Sequence, residues 1–333
     1  MIKEFEHIQS SHCETGAIVS LLNYYGFHIS EPMAFGIGSG LFFAHIPFLK
    51  PNSIPLTAFR VLPDQIRKRL SKKLGIKIIK KKFDDPTSAM DYIDNLLEHN
   101  HPVGLVTNIF YLPYFPEKFR FHYNHHNTLV YAKEGNNYLV SDPIMENLTY
   151  ISYDDLKRAR YSQGGITLKG NMFYIDELPE NLVDLKIPVI EGIKTTSKKM
   201  MNNVSPFTGV KGMRFLAKRI TKWQSKFEDK KLKLYMGNII RMLEEVGTGG
   251  AGFRYMYAAF LQEAALLLKK DWLLQLSEEM TEAGDCWREF SYYSATFCKT
   301  DKSANELIEA SAQAIIDCAK MEAAIFKKLS KIS

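Results

Sequence analysis

Three residues of this 333-residue chain have the types and positions that nucleophilic catalysis requires: Cys13, His126 and Asp142. Cys13 lies where a polar N-terminal segment gives way to a helical pattern. Ala17, Ile18, Leu21, Leu22 and Tyr25 share one face of that helix, and Gly26 is placed to end it. The unpaired amides and the dipole of a first helical turn favour a thiolate, and the same amides can hold an oxyanion. His126 enters the strand-like run Asn127-Thr128-Leu129-Val130-Tyr131-Ala132, and Tyr138 to Val140 reads as its partner across the Gly135-Asn136-Asn137 turn. Ser141-Asp142-Pro143 closes that partner, so a hairpin brings Asp142 to the same end as His126, sixteen residues before it. The carboxylate there can orient the imidazole and stabilise its protonated form, while the imidazole takes the thiol proton. The plain alternatives are a packed cysteine, a surface histidine and a strand-ending Asp-Pro.

The neighbours need separating from these three. Only one of His125 and His126 can face Cys13 from a strand; His126 is preferred because an apolar strand follows it directly. His12 is read either as a substrate contact or as part of the helix start. No histidine or cysteine pair has the spacing of a metal ligand set, so neither a metal nor a bound cofactor is expected.

Position in the chain narrows the chemistry further. All nine histidines lie at or before His126, whereas Cys286, Cys298 and Cys318 fall in later helical segments. Histidine-dependent chemistry is therefore expected in the first part of the chain, with Cys13 as the only cysteine beside it. The net charge of +6 suits an acidic partner protein and carries no nucleic-acid motif with it. Lys80-Lys81-Lys82 reads as a solvated strand end. There is no basic-then-apolar leader and no apolar stretch of membrane-spanning length, which makes a cytoplasmic protein the expectation.

The elements that must position these residues form an α+β arrangement followed by an all-α one. Asp85-Pro86 starts a second helix that runs to about His99, Pro102 to Phe110 reads as a buried strand, and Met172 to Ile175 as a last one. Residues 1–180 are expected to form the catalytic domain, 181–205 a linker or crossing segment, and 206–333 a helical domain. Its helices are expected at about 210–223, 228–245, 252–269, 271–282, 285–297 and 303–330, with breaks at the Gly247–Gly252 loop, Gly284 and Thr300. Gly36-Ile37-Gly38-Ser39-Gly40 lacks the lysine of a phosphate loop and is read as a loop near the cysteine helix, lining the site through Gly38.

The Cys, His, Asp order and its local context resemble papain-like cysteine enzymes, in particular the bacterial branch that includes leader peptidases of peptide-exporting transporters. Ser11-His12-Cys13-Glu14-Thr15-Gly16-Ala17, Leu21-Leu22-Asn23-Tyr24-Tyr25-Gly26 and Phe35-Gly36-Ile37-Gly38-Ser39-Gly40 resemble the N-terminal domain of the butirosin-biosynthesis protein H family. Gly247-Thr248-Gly249-Gly250 and Phe253-Arg254-Tyr255-Met256-Tyr257 resemble the helical domain that often follows it. The resemblance implies an acyltransferase that takes an acyl group from a carrier-protein thioester, on a phosphopantetheine arm, through acyl-Cys13. The acceptor would be the amine or hydroxyl of a small molecule in specialised metabolism. His126 would act as base and then acid, and Asp142 would orient it. The alternatives are a peptidase or thioesterase with the same triad, or a non-catalytic binding module. One departure matters: papain-like peptidases carry an oxyanion-hole glutamine about six residues before the cysteine. His7 stands there, and the nearest glutamine is Gln9, which leaves the Cys13 backbone amide as the preferred donor. The helical half is read as a lid, a docking face for the carrier protein through Lys211, Arg214, Lys218 and Arg219, or a homodimer interface.

Overall fold

In chain order the first elements are α1 (Cys13–Tyr24), α2 (Glu31–Ile37), β1 (Leu41–Ile46), β2 (Leu56–Arg60), α3 (Gln65–Leu74), β3 (Lys77–Lys81) and α4 (Pro86–Glu98). Then come β4 (Val103–Thr107), β5 (His126–Glu134), β6 (Asn137–Ser141), β7 (Thr149–Ser152), α5 (Tyr153–Tyr161) and β8 (Met172–Glu177). Six helices complete the chain: α6 (Lys186–Met201), α7 (Gly209–Trp223), α8 (Asp229–Glu244), α9 (Arg254–Leu268), α10 (Trp272–Lys299) and α11 (Asn305–Leu329). The structure, a computed structural model, describes residues 5–163, 167–180, 183–201, 204–300 and 305–333. The parts of the expected linker at 181–182 and 202–203, and of the expected last helix at 303–304, lie outside the described residues.

Two compact units result, and their division is not the one expected from sequence. Unit one holds residues 1–34 and 66–183; unit two holds 35–65 and 184–333. In unit one, β3-β8-β4-β5-β6-β7 form one antiparallel sheet. α1 packs on β4, β5 and β8. Met90, Ile93 and Leu97 of α4 and Leu156 and Ala159 of α5 bury the other apolar set, with Val103, Leu105, Val130, Tyr138 and Val140 from the strands. Local sequence explains the edges of these elements. Asp85 accepts the Ser88 amide at 2.6 Å ahead of Pro86, a capped start to α4. Gly26 at φ +83 ends α1, and Gly135 at φ +58 turns β5 into β6.

Residues 35–65 join unit two because their hairpin feeds its core. Phe43 of β1 stacks on Trp287 at 5.8 Å, and Phe59 of β2 meets the same indole edge-on at 5.3 Å. The His45 amide donates to the Phe207 carbonyl at 2.8 Å. This corrects the expectation that every histidine belongs to the catalytic part: His45 is a buried member of unit two, pushed down to about 4 by burial and by the Arg219 charge. The expected linker contains the helix α6, which Pro188 and a polar surface disguise. Gly284 is not a break either, and α10 runs through it. A Cβ there would come within 2.6 Å of the Tyr255 ring, so that glycine serves close packing. Beneath the expected Gly247–Gly252 loop, Arg254 makes a two-pronged ion pair with Glu322, both fully buried, while Trp287 Nε1 donates to the same carboxylate at 2.7 Å.

Gly16 fixes how α1 meets the corner that follows β6. A Cβ at Gly16 would lie 2.5 Å from Ser10 Cβ and 2.6 Å from Pro143 Cβ, at the place where the Ser10 amide donates to the Pro143 carbonyl at 2.7 Å. Alanine is the better helix former by about 1 kcal/mol, but overpacking costs about 1–3 kcal/mol. Gly16→Ala is therefore expected to lower the denaturant midpoint. A variant at least as stable as the parent in urea unfolding would show that this contact does not constrain the helix.

Candidate active site

The β5–β6 register brings the imidazole and the carboxylate together. Leu129 lies opposite Ser141, and continuing that register sets Asp142 opposite Thr128. His126 is two residues from Thr128 on the same face, which makes it the diagonal neighbour of Asp142. His126 Nε2 donates to Asp142 Oδ2 at 2.6 Å, with the two side chains 3% and 0% exposed. The other donors to Asp142 are Tyr114, whose hydroxyl reaches Oδ2 at 2.9 Å, and the Ile144 amide, which reaches Oδ1 at 3.0 Å. Burial and the Asp142 charge hold the Tyr114 phenol well above its usual value, so it stays a neutral donor. The Phe115 ring stands edge-on to His126 at 5.3 Å and covers it from the apolar side.

The Cys13 side chain interacts with the His126 ring and adds to the effect of Asp142 on it. Burial pushes the imidazole down, but the Asp142 charge and hydrogen bond, with the Cys13 side chain, outweigh it and raise His126 to about 10. Cys13 is the first residue of α1 and is 7% exposed. Its sulfur lies 4.0 Å from the His125 carbonyl, and Asn127 Nδ2 lies 3.8 Å from the sulfur. The amides just before Cys13 are engaged: Ser11 and His12 donate to the two oxygens of Glu31 at 2.9 and 2.8 Å. Burial raises the Glu31 carboxyl against these hydrogen bonds.

The remaining residues expected at the site separate clearly. His125 sits in the turn before β5, where its backbone carbonyl borders the sulfur; His126, its neighbour, makes the carboxylate pair. His12 is buried and belongs to the helix start, its Nδ1 on Thr15 Oγ1 at 3.0 Å while Thr15 donates to Glu31 at 2.9 Å. His7, at the glutamine position of papain-like peptidases, is held by Ser141 and Met145 at 2.9 and 3.0 Å. It braces the corner after β6. Gln9 is exposed on the segment ahead of α1. Gly38 follows α2 and belongs to unit two; residues 31–37, part of the stretch expected as a loop, form that helix. Sequence reasoning missed Tyr114 and Glu31 as supports, and Asn127 and Arg67 as neighbours. Asn127 carried a signal, adjacency to His126 on a strand; Arg67 carried none.

The arrangement is competent for nucleophilic attack by Cys13 with proton transfer through His126. Among the described residues, no group of three or more His, Cys, Asp or Glu side chains is arranged to hold a metal ion, and no helix is long and apolar enough to cross a membrane. Two family models match the chain: Butirosin biosynthesis protein H, N-terminal, over residues 12–143, and Domain of unknown function (DUF4872) over 154–329. The chain belongs to the family of the second model, and its first part is similar to the first. The first match spans Cys13, His126 and Asp142, and the second, more than half of the chain, begins within unit one at α5. A crystal structure described as a C39-like peptidase from Bacillus anthracis is similar over 54% of this chain and 98% of its own, at 12% identity and a TM-score of 0.38. A comparison with curated proteins finds no match.

Asp142 is the first charge that lifts His126, so Asp142→Asn is expected to bring the imidazole titration down from about 10 toward neutrality. The sign for stability follows from linkage. A folded value above the ordinary 6.5 stabilises fully below about 6.5 and loses that contribution as pH rises through about 10. Imidazole NMR titration, with melting curves at pH 7 and 10, measures both. An unmoved His126 resonance in Asp142→Asn would remove the carboxylate from the account.

Proposed function

We propose that the protein is a cysteine acyltransferase that accepts an acyl group from a carrier-protein thioester on Cys13 and delivers it to the amine or hydroxyl of a small molecule. The observation that carries this reading is the buried His126–Asp142 pair at 2.6 Å, whose carboxylate favours a charged imidazole and which interacts with the Cys13 side chain. The Cys13 thiolate, its proton on His126, attacks the thioester carbonyl. The carbonyl re-forms as the phosphopantetheine sulfur leaves, and that sulfur takes the proton from His126. The neutral imidazole then accepts a proton from the acceptor as its nitrogen or oxygen attacks acyl-Cys13, and the cysteine leaves as thiolate. The Cys13 amide, on the first turn of α1, is the proposed oxyanion donor.

Transfer is preferred to hydrolysis by the same residues because the reacting groups are poorly accessible to water: His126 is 2% and Asp142 0% exposed. The description of the first family model as a biosynthesis protein supports the same choice. Lys211, Arg214 and Lys218 share an exposed face of α7 that suits an acidic carrier protein, while Arg219 turns inward over the Phe215 ring.

Intact mass after mixing the protein with an acyl-carrier thioester tests the proposal. The expected result is an acyl adduct absent in Cys13→Ala, formed about 10²-fold or more slowly in His126→Ala, and discharged only on adding an amine or alcohol. An adduct that clears in plain buffer would make the protein a hydrolase. No adduct and no turnover across a donor panel would leave the triad without this function.

A further inference from the structure

The Cys13 sulfur has a second polar neighbour that the triad does not use. Asn127 is 4% exposed, and pleating sends its side chain to the side of β5 opposite His126, so the two residues approach the sulfur from different directions. Its Nδ2 lies 3.2 Å from the His125 carbonyl and 3.8 Å from Cys13 Sγ. Its Oδ1 accepts from Arg67 Nη1 at 3.3 Å. Chemistry dictates that orientation. A guanidinium only donates and a backbone carbonyl only accepts, so reversing the amide would set donor against donor and acceptor against acceptor. Arg67 is itself held: it is 3% exposed, its guanidinium lies 3.6 Å from the Phe173 ring centroid, and its amide donates to Glu14 Oε1 at 3.3 Å.

We propose that Asn127, oriented by Arg67, is a positioning residue that donates a hydrogen bond to the Cys13 sulfur and favours its thiolate form. A thiol can be served by the His125 carbonyl, which accepts from S–H; a thiolate needs donors. The amide supplies one, and donation to a charged acceptor is stronger than to a neutral one. The other titratable and charged groups gathered about the first turn of α1 include His126 from β5 with its partner Asp142, Arg67 and Arg69 from α3, Glu14 and His12 of the turn itself, and Glu31, which accepts the amides before it. Of these, Glu14 and Glu31 oppose a thiolate, which is why a donor fixed beneath the sulfur is needed. The inference rests on Cys13 being the nucleophile, and the test separates the two.

The measurement is the rate of Cys13 alkylation by iodoacetamide between pH 4 and 10, followed by intact mass, in the full chain and in Asn127→Leu, Asn127→Gln and Arg67→Gln. A hydrogen bond to a charged group lost on truncation corresponds to about one to two pH units. The acid limb is expected to move up by that amount in Asn127→Leu, by less in Arg67→Gln, and back toward the parent in any Asn127→Gln that keeps the donor within reach. The alkaline limb, set by His126 and Asp142, is expected to stay. A purely structural Asn127 would lower the melting temperature and leave the acid limb where it was, and that result overturns the inference. A parent protein whose Cys13 shows only the profile of an ordinary thiol overturns the nucleophile itself.

Discussion

A carboxylate and an imidazole held 2.6 Å apart, away from water, constrain everything around them. Taking both groups out of water is costly, and removing one partner of such a pair typically costs about 3–5 kcal/mol because the other is left charged and unpaired. Asp142 therefore needs every acceptor site filled. His126, Tyr114 and the Ile144 amide supply the donors. Each comes from a different segment: the entry of β5, the aromatic connection after β4, and the turn after β6. The pair consequently ties three segments to one point, and the fold of unit one can be understood as what that point requires.

The cysteine is brought to the pair by backbone rather than by long side chains. Ser10 bonds to Pro143, His7 braces Ser141 and Met145, and Gly16 lets α1 approach the same corner without a Cβ between. The segment before α1 and the corner after β6 are thus one assembly, although more than 130 residues separate them in sequence. Sheet register sets the distance from His126 to Asp142, and this clamp sets the distance from Cys13 to both. Neither depends on a flexible loop, which suits a site whose reacting atoms must be held close.

What could be read from the sequence was local. The start of α1 at Cys13, its glycine end, the capped start of α4 and the β5–β6 hairpin all follow from signals within a few residues of one another. The hairpin by itself was enough to bring His126 and Asp142 to one end. What could not be read depended on distant partners. Phe43 and Phe59 look like any strand aromatics until Trp287 is there to receive them, so 35–65 seemed to belong to the catalytic part. Gly284 looks like a break until Tyr255 packs on it. Tyr114 was one aromatic among many, and only folding turns its hydroxyl to Asp142.

The same geometry changes what would stabilise a thiolate at Cys13. From sequence, the dipole at the start of α1 is the obvious stabiliser of a thiolate. In the structure Glu31 accepts the amides of Ser11 and His12, so a carboxylate already occupies part of that positive end. A helix terminus contributes about 0.3–1 kcal/mol to an exposed charge and about 2 kcal/mol at best, and here it is shared. His126, which interacts with the Cys13 side chain, is the larger counter-charge, and an imidazole raised to about 10 is charged throughout the neutral range. In the proposed chemistry, therefore, His126 is charged before a donor binds, and its first proton movement is delivery to the departing sulfur. Asp142 then does more than aim the ring: by keeping the imidazole charged it sets the resting state from which transfer begins.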